Sequence, residues 1–195
     1  KKMKELIAIA TSNDVLFIYF TGHGSQIKDN NNDEIDGKDE VFIPVNHKNN
    51  LISDDLIKEL LKSTKAQTTL LFDTCNSGTM SDLKFNFSLT PYIRTTKLDN
   101  DILDSKKIIN ISSCNDNQDS FSGPLHSGNG VIKYYSMFTY HFIKHLASKK
   151  QTIKEHMVDL KKNIKLSNTN FSFSDVKLIE SFFLERHDNT KKELM

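Results

Sequence analysis

A chain of 195 residues, 37% hydrophobic and 26% charged, with only 3 Pro and 7 Gly, fits one ordinary globular domain and is not composed like a disordered segment. Twenty-six basic against 25 acidic residues leave a net charge of +1, and only Arg94 and Arg186 are arginine, so no nucleic-acid or anionic-membrane partner is expected. Two cysteines make no disulfide framework, no apolar run approaches the ~20 residues of a membrane span, and no signal peptide opens the chain; an intracellular, cytoplasmic protein with reduced thiols is expected. Residue 1 is Lys, so the chain is expected to be part of a longer translation product or a processed form.

Apolar residues at Met3, Leu6, Ile7 and Ile9 give the first segment, Lys1 to Ser12, a helical stripe. The period then changes: Val15 to Phe20 is an uninterrupted β-favouring run, closed by Thr21-Gly-His-Gly24, which predicts a strand buried on both faces. An acid-rich loop, Asp29 to Glu40, leads to a short strand over Val41 to Val45. Ser53 is placed as the N-cap of a helix that runs to about Leu61. Thr68 to Phe72 predicts a second buried strand ending in Asp73-Thr-Cys-Asn-Ser-Gly78, and Lys107 to Ile111 a third, ending in a polar loop from Ser112 to Gly130. Ser136 to Leu146 and Ile153 to Ile164 read as amphipathic helices, and Ser181 to Leu184 as a last strand. Strands alternating with helices predict an α/β fold of three layers, a mainly parallel sheet covered by helices on both faces.

In such sheets functional groups collect in loops beyond the carboxyl ends of the strands, and three of these strands end in polar turns carrying His23, Cys75 and Cys114. A cysteine of ordinary pKa, about 8.5, is only a few per cent thiolate at neutral pH, so a nucleophilic Cys75 needs a base, and His23 is the natural one. Glycines on both sides of His23 let the backbone come close to a substrate, so the Gly24 and Cys75 N–H groups are candidates for an oxyanion hole. Cys114 reads as a small buried residue. His141 and His145, four apart on a helix, lack the Glu of a protease zinc motif and a third ligand, and read as a surface or half-buried pair.

The strings YFTGHGSQ, DGKDEVFIPV, ISDDLIKELL, LLFDTCNSGT and INISSCNDNQDS, in that order and spacing, resemble the catalytic core of the metacaspases, caspase-like cysteine peptidases; the similarity spans about residues 15 to 122. The resemblance implies a caspase-like fold over residues 1–195, with a catalytic His/Cys core at 15–82 and a small-subunit-like part at 106–195. It makes His23 the catalytic histidine and Cys75 the nucleophile, with Gly24 and Cys75 as oxyanion donors. Asp73 matches an acid of the primary specificity pocket, which implies cleavage after Arg or Lys. Asp39, Asp54, Asp55 and Asp82 match an activating calcium site, and Asp33, Glu34, Asp36 and Glu40 crowd the same loop. Surface acids are more often solvated than ligating, and an EF-hand fails on its own spacing, because Ile43 stands where its last Glu would be. The short gap between Cys75 and Ile111 resembles the type I arrangement.

Two departures stand out. Asn76 follows the nucleophile, where metacaspases commonly have His. The family also places two strands and a helix before the histidine strand, and neither strand is legible before Val15, which would leave Val15 to Phe20 an open edge. The sequence therefore predicts a monomeric, calcium-activated cysteine endopeptidase acting on proteins or peptides after basic residues, with a preceding N-terminal segment as the source of the missing strands. The alternative is an inactive or truncated caspase-like binding or regulatory module.

Overall fold

The computed structural model describes residues 1–31, 34, 36–46, 48, 50–87, 94–95, 102–126, 132–147, 150–163 and 169–185. Asp33 and Arg186 fall outside them. Three runs rich in branched and aromatic residues form adjacent parallel strands: β1 (Val15–Thr21), β5 (Gln67–Asp73) and β8 (Ile108–Ser112). Because they run the same way, their carboxyl ends, and with them His23, Cys75 and Cys114, emerge along one edge of the sheet.

Among the described residues the sheet has six strands and is mixed. Beyond β8 come β11 (Asn170–Phe173), β6 (Phe85–Phe87) and β7 (Arg94–Thr95), joined antiparallel in that order. Burial on β5 and β8 is complete. On β5, Leu70 and Phe72 face one layer with Ile57 and Leu61 of α2 (Asp54–Lys62), while Leu71 faces the other with Phe138 and Phe142 of α3 (Met137–Leu146) and Met157 and Leu160 of α4 (Ile153–Asn163). This is the three-layer α/β arrangement, and each such side chain contributes about 1.5–3 kcal/mol by burial. Helix α1 (Lys2–Ile9) packs Ile7 against Leu16 and Ala66. Ser53 caps α2 as expected, accepting the Leu56 N–H at 3.3 Å. Among the described residues no helix is long and apolar enough to cross a membrane.

Four expectations need correction. β1 is not buried on both faces: it lies at the end of the sheet, and Phe17 and Tyr19 are 40% and 42% exposed. His23 does not sit in a loop but opens β2 (His23–Lys28), which pairs antiparallel with β3 (Lys38–Ile43); β3 in turn pairs with β4 (Ile52–Ser53), making a small second sheet. The stretch 112–130 is not all loop, since β9 (Ser122–His126) and β10 (Ile132–Ser136) form a hairpin. Ser181 to Leu184 is not a strand of the sheet. The last sheet strand is β11, whose alternation of Phe171 and Phe173 with Ser172 was masked by the polar residues around it; Phe182 makes only an isolated bridge to Thr152.

Candidate active site

The register of β1 on β5 places Thr21 opposite Asp73, so residues 22–24 leave the sheet beside residues 73–75. Gly22 donates its N–H to the Asp73 carbonyl oxygen at 3.4 Å. On the other side of His23, Gly24 presses against the exit of β5: a Cβ built on it would lie 2.1 Å from the Cys75 carbonyl oxygen. Only glycine permits that approach. His23 is thus held between two residues that each touch the segment bearing Cys75, and it is exposed.

Cys75 is half-buried, and its Sγ accepts the Ser120 N–H at 3.4 Å. Burial pushes its thiol above the ordinary value; the Ser120 N–H opposes that shift and the Asp119 carboxylate reinforces it. Asn76 has φ of 50°, a left-handed conformation that Asn tolerates better than most residues, and donates its N–H to the Gln118 carbonyl at 3.0 Å. Cys114 is fully buried, as expected of a packing residue, with Sγ 3.2 Å from the Thr74 carbonyl oxygen.

Asp73 ends β5 two residues before Cys75 and is 3% exposed. Its carboxylate accepts three hydroxyls: Ser120 Oγ on Oδ1 at 2.7 Å, and Ser136 Oγ and Thr139 Oγ1 on Oδ2. Sequence reasoning missed all three donors. They lie 47 to 66 residues away in the chain, in a stretch whose hairpin was itself not legible.

The acidic residues gather around β3 and the start of α2. One oxygen each from Asp39, Asp54 and Asp55 lies within 4.8 Å of the others, as does one each from Glu34, Glu40 and Asp54. Asp39, Glu40, Asp54 and Asp82 are buried. Asp54 caps its neighbours, accepting the Glu40 N–H at 2.9 Å and the Asp55 N–H at 2.7 Å. Burial and the surrounding carboxylates push Glu34 up to about 9, Glu40 to about 8 and Asp54 to about 7. Asp82, at a left-handed φ of 45°, joins the cluster through Glu34 and pairs with the Lys58 ammonium at 3.6 Å. The structure thus brings all four predicted ligands into one region and adds Glu34 and Glu40, whose position in the loop was noted but whose convergence with Asp54 needed the β2–β3 pairing. Donor chemistry fits a hard divalent cation: the groups are all carboxylates, and a buried ammonium already sits against one of them. Asp116, a further acid that the sequence did not single out, accepts the Thr79 N–H at 2.8 Å, and burial raises it.

The histidine pair resolves differently. His145 meets His156 of α4, ring centroids 5.1 Å apart, whereas the His141 ring stacks edge-on against Tyr140. Burial and His145 lower the pKa of His156. Among the described residues, every three-ligand group is built of carboxylates alone.

Residues 1–84 match the family model of the metacaspase peptidase C14 domain. Metacaspase-1 of Schizosaccharomyces pombe is 40% identical over 90 residues, 44% of this chain and 21% of that protein. Metacaspase-1 of Candida glabrata is 38% identical over 106 residues, 52% of this chain and 27% of that protein, and Metacaspase-1A of Neurospora crassa 39% identical over 101 residues, 50% and 21%. These matches span about a fifth to a quarter of the length of those relatives. Protein GSU0716 from Geobacter sulfurreducens, a crystal structure, superposes with a TM-score of 0.64 at 19% identity, covering 92% of this chain and 74% of that one, and shares the fold.

Proposed function

Because residues 1–84 match the family model of the metacaspase peptidase C14 domain, we propose that this chain is a caspase-like cysteine endopeptidase that cleaves after Arg or Lys and is activated by calcium. One observation carries the reading: His23 and Cys75 leave neighbouring parallel strands side by side, with Gly24 packed on the Cys75 backbone and a buried carboxylate, Asp73, two residues behind the thiol. In this mechanism His23 takes the Cys75 proton and the thiolate attacks the scissile carbonyl carbon. The Gly24 and Cys75 N–H groups hold the resulting oxyanion. The C–N bond then breaks as His23 returns its proton to the leaving amine, and water attacks the thioester to release the acid and restore the thiol. Asp73, two residues before the thiol, would receive the basic side chain before the scissile bond.

Asp39, Asp54, Asp55 and Asp82, with Glu34 and Glu40, would hold calcium. When bound, the cation supplies positive charge that lets neighbouring carboxylates share one site. Two carboxylates ~5 Å apart repel by about 3 kcal/mol at an effective dielectric of ~20, and Lys58 offsets part of that. The segment from Cys75 to Asp82 links the cluster to the nucleophile, so ordering the first sets the second. A further strand pairs with β1. Among the described residues the outer side of β1 has no neighbouring strand, and an open apolar edge is an aggregation hazard; the occupant that fits is a segment preceding Lys1, and its addition should convert an aggregating or inactive chain into a soluble one.

A second reading, a module that binds without cutting, is favoured by the upward shift of the Cys75 thiol beside Asp119, which opposes thiolate formation. Hydrolysis of a peptide amide after Lys or Arg, abolished in Cys75→Ala, supports the enzyme; a thiol that alkylates while no peptide is cut, with calcium present and the β1 edge supplied, supports the module.

A further inference from the structure

The Asp73 carboxylate is already occupied unequally by its own chain. Both acceptor sites of Oδ2 are taken, by Ser136 Oγ and Thr139 Oγ1, whereas among the described residues Oδ1 takes only Ser120 Oγ, at 2.7 Å. A carboxylate offers about four acceptor sites, two on each oxygen. One remains, on Oδ1.

The direction of each bond follows from donor counting. A carboxylate only accepts, so Thr139 spends its hydroxyl proton on Asp73, and the 3.1 Å contact between Tyr19 and Thr139 must run from the Tyr19 O–H to Thr139 Oγ1. Ser136, the N-cap of α3, accepts the Thr139 N–H at 3.3 Å and also donates to Asp73. Neither donor on Oδ2 can therefore turn away without leaving a bond unmade in a site where Asp73 is 3% exposed.

Resting on the proposed role of Asp73 as the pocket acid, we infer that Ser136 and Thr139 are specificity-determining residues that tune this pocket for lysine over arginine. A guanidinium recognises a carboxylate with two parallel N–H donors, one to each oxygen, and here one oxygen is closed. An ammonium is a point charge with three rotatable donors. It needs one site on Oδ1 and finds its remaining acceptors in the lone pairs of Ser120 Oγ and Ser136 Oγ. Losing one charge-assisted bond costs arginine on the order of tenfold relative to lysine.

The test uses the protein expressed from its complete coding sequence, in calcium. Peptidyl acyloxymethyl ketones identical except for a final Lys, Arg or Ala alkylate Cys75, the thioether forming as the carboxylate leaves, and intact mass gives the rate. The Lys probe should react about tenfold faster than the Arg probe. Thr139→Val, which keeps the side-chain shape, and Ser136→Gly, which keeps a tolerated N-cap, should each raise the Arg rate and bring the ratio towards one. An Arg probe as fast as the Lys probe in the unaltered protein overturns the inference while leaving Asp73 as the pocket acid, and so does a ratio that neither variant moves. If neither basic probe outruns the Ala probe, the pocket assignment itself falls and the inference with it. Should both variants fail to fold, the unaltered protein's ratio alone decides.

Discussion

Two buried acidic regions are joined to the segment that carries Cys75, one through Asp73 and the other through Asp82, and they are built on opposite principles. Asp73 is one carboxylate answered by three hydroxyls from two distant segments, the stretch at Ser120 and the start of α3, so its charge is solvated from within the chain. The cluster around Asp54 gathers six carboxylates, raises three of them to about 7, 8 and 9, and answers Asp82 with the Lys58 ammonium. A self-satisfied acid is suited to receive a cationic side chain without rearranging. An under-neutralised cluster stores repulsion that a cation relieves, so it suits a switch.

The comparison breaks most sharply at Cys75, the proposed nucleophile. Cys75→Ala should lower peptide hydrolysis about 10⁴-fold or more, while Cys114→Ala, which removes only a packed thiol, should retain activity within a few fold; initial rates on a basic peptide decide this, and equal losses would end the assignment.

Calcium separates the two regions next. Hydrolysis should vanish in chelator and return with Ca²⁺ but not with equal Mg²⁺. Asp54→Ala combined with Asp55→Ala should weaken that response and leave Cys75 open to iodoacetamide. Full activity in excess chelator would return these acids to a purely structural role.

Gly24→Ala sharpens the geometry. A Cβ 2.1 Å from the Cys75 carbonyl forces the two segments apart, with a stability loss of about 1–3 kcal/mol in a denaturant titration and a larger loss in hydrolysis than in folding. Normal activity would mean that the His23 and Cys75 segments need not touch.

Smaller effects follow from titration. Glu34, Glu40 and Asp54 hold their protons more tightly folded than unfolded, so in chelator their contribution to stability is full below about pH 4.5 for the two Glu and about pH 3.8 for Asp54, and is lost as pH rises through about 9, 8 and 7 respectively. Melting temperatures across pH 5 to 9 should fall in chelator and flatten with calcium. A chelated protein whose melting temperature holds constant over that range would contradict the cluster's description. At the thiol, Asp119→Asn should move the pH midpoint of Cys75 alkylation downward, because one of the charges opposing the thiolate is gone.

What was legible in the sequence follows from how far apart the interacting parts lie. β1, β5 and β8 announce themselves as continuous apolar runs, and His23 and Cys75 follow directly from their ends. Asp39, Asp54, Asp55 and Asp82 came from the family resemblance, and the fold brings them to one region. Glu34 and Glu40 were seen as acids, but their convergence with Asp54 depends on the β2–β3 hairpin, which glycines and charged residues hid. The hydroxyl ring on Asp73 could not be read, because Ser120, Ser136 and Thr139 are ordinary residues whose meaning is set by a tertiary contact. β11 was missed for a related reason. Its four residues alternate too briefly to outweigh their polar surroundings.

The central claim is that Cys75 and His23 form a peptidase centre behind which Asp73 reads a basic residue. The most direct measurement is kcat/KM on matched peptide amides ending in Lys, Arg and Asp, with the protein expressed from its complete coding sequence and calcium present, and with Cys75→Ala as the blank. Cleavage after Lys and Arg exceeding that after Asp by several orders of magnitude, and absent from the blank, is the predicted result. Cleavage after Asp at a comparable rate, or hydrolysis that survives Cys75→Ala, would contradict it.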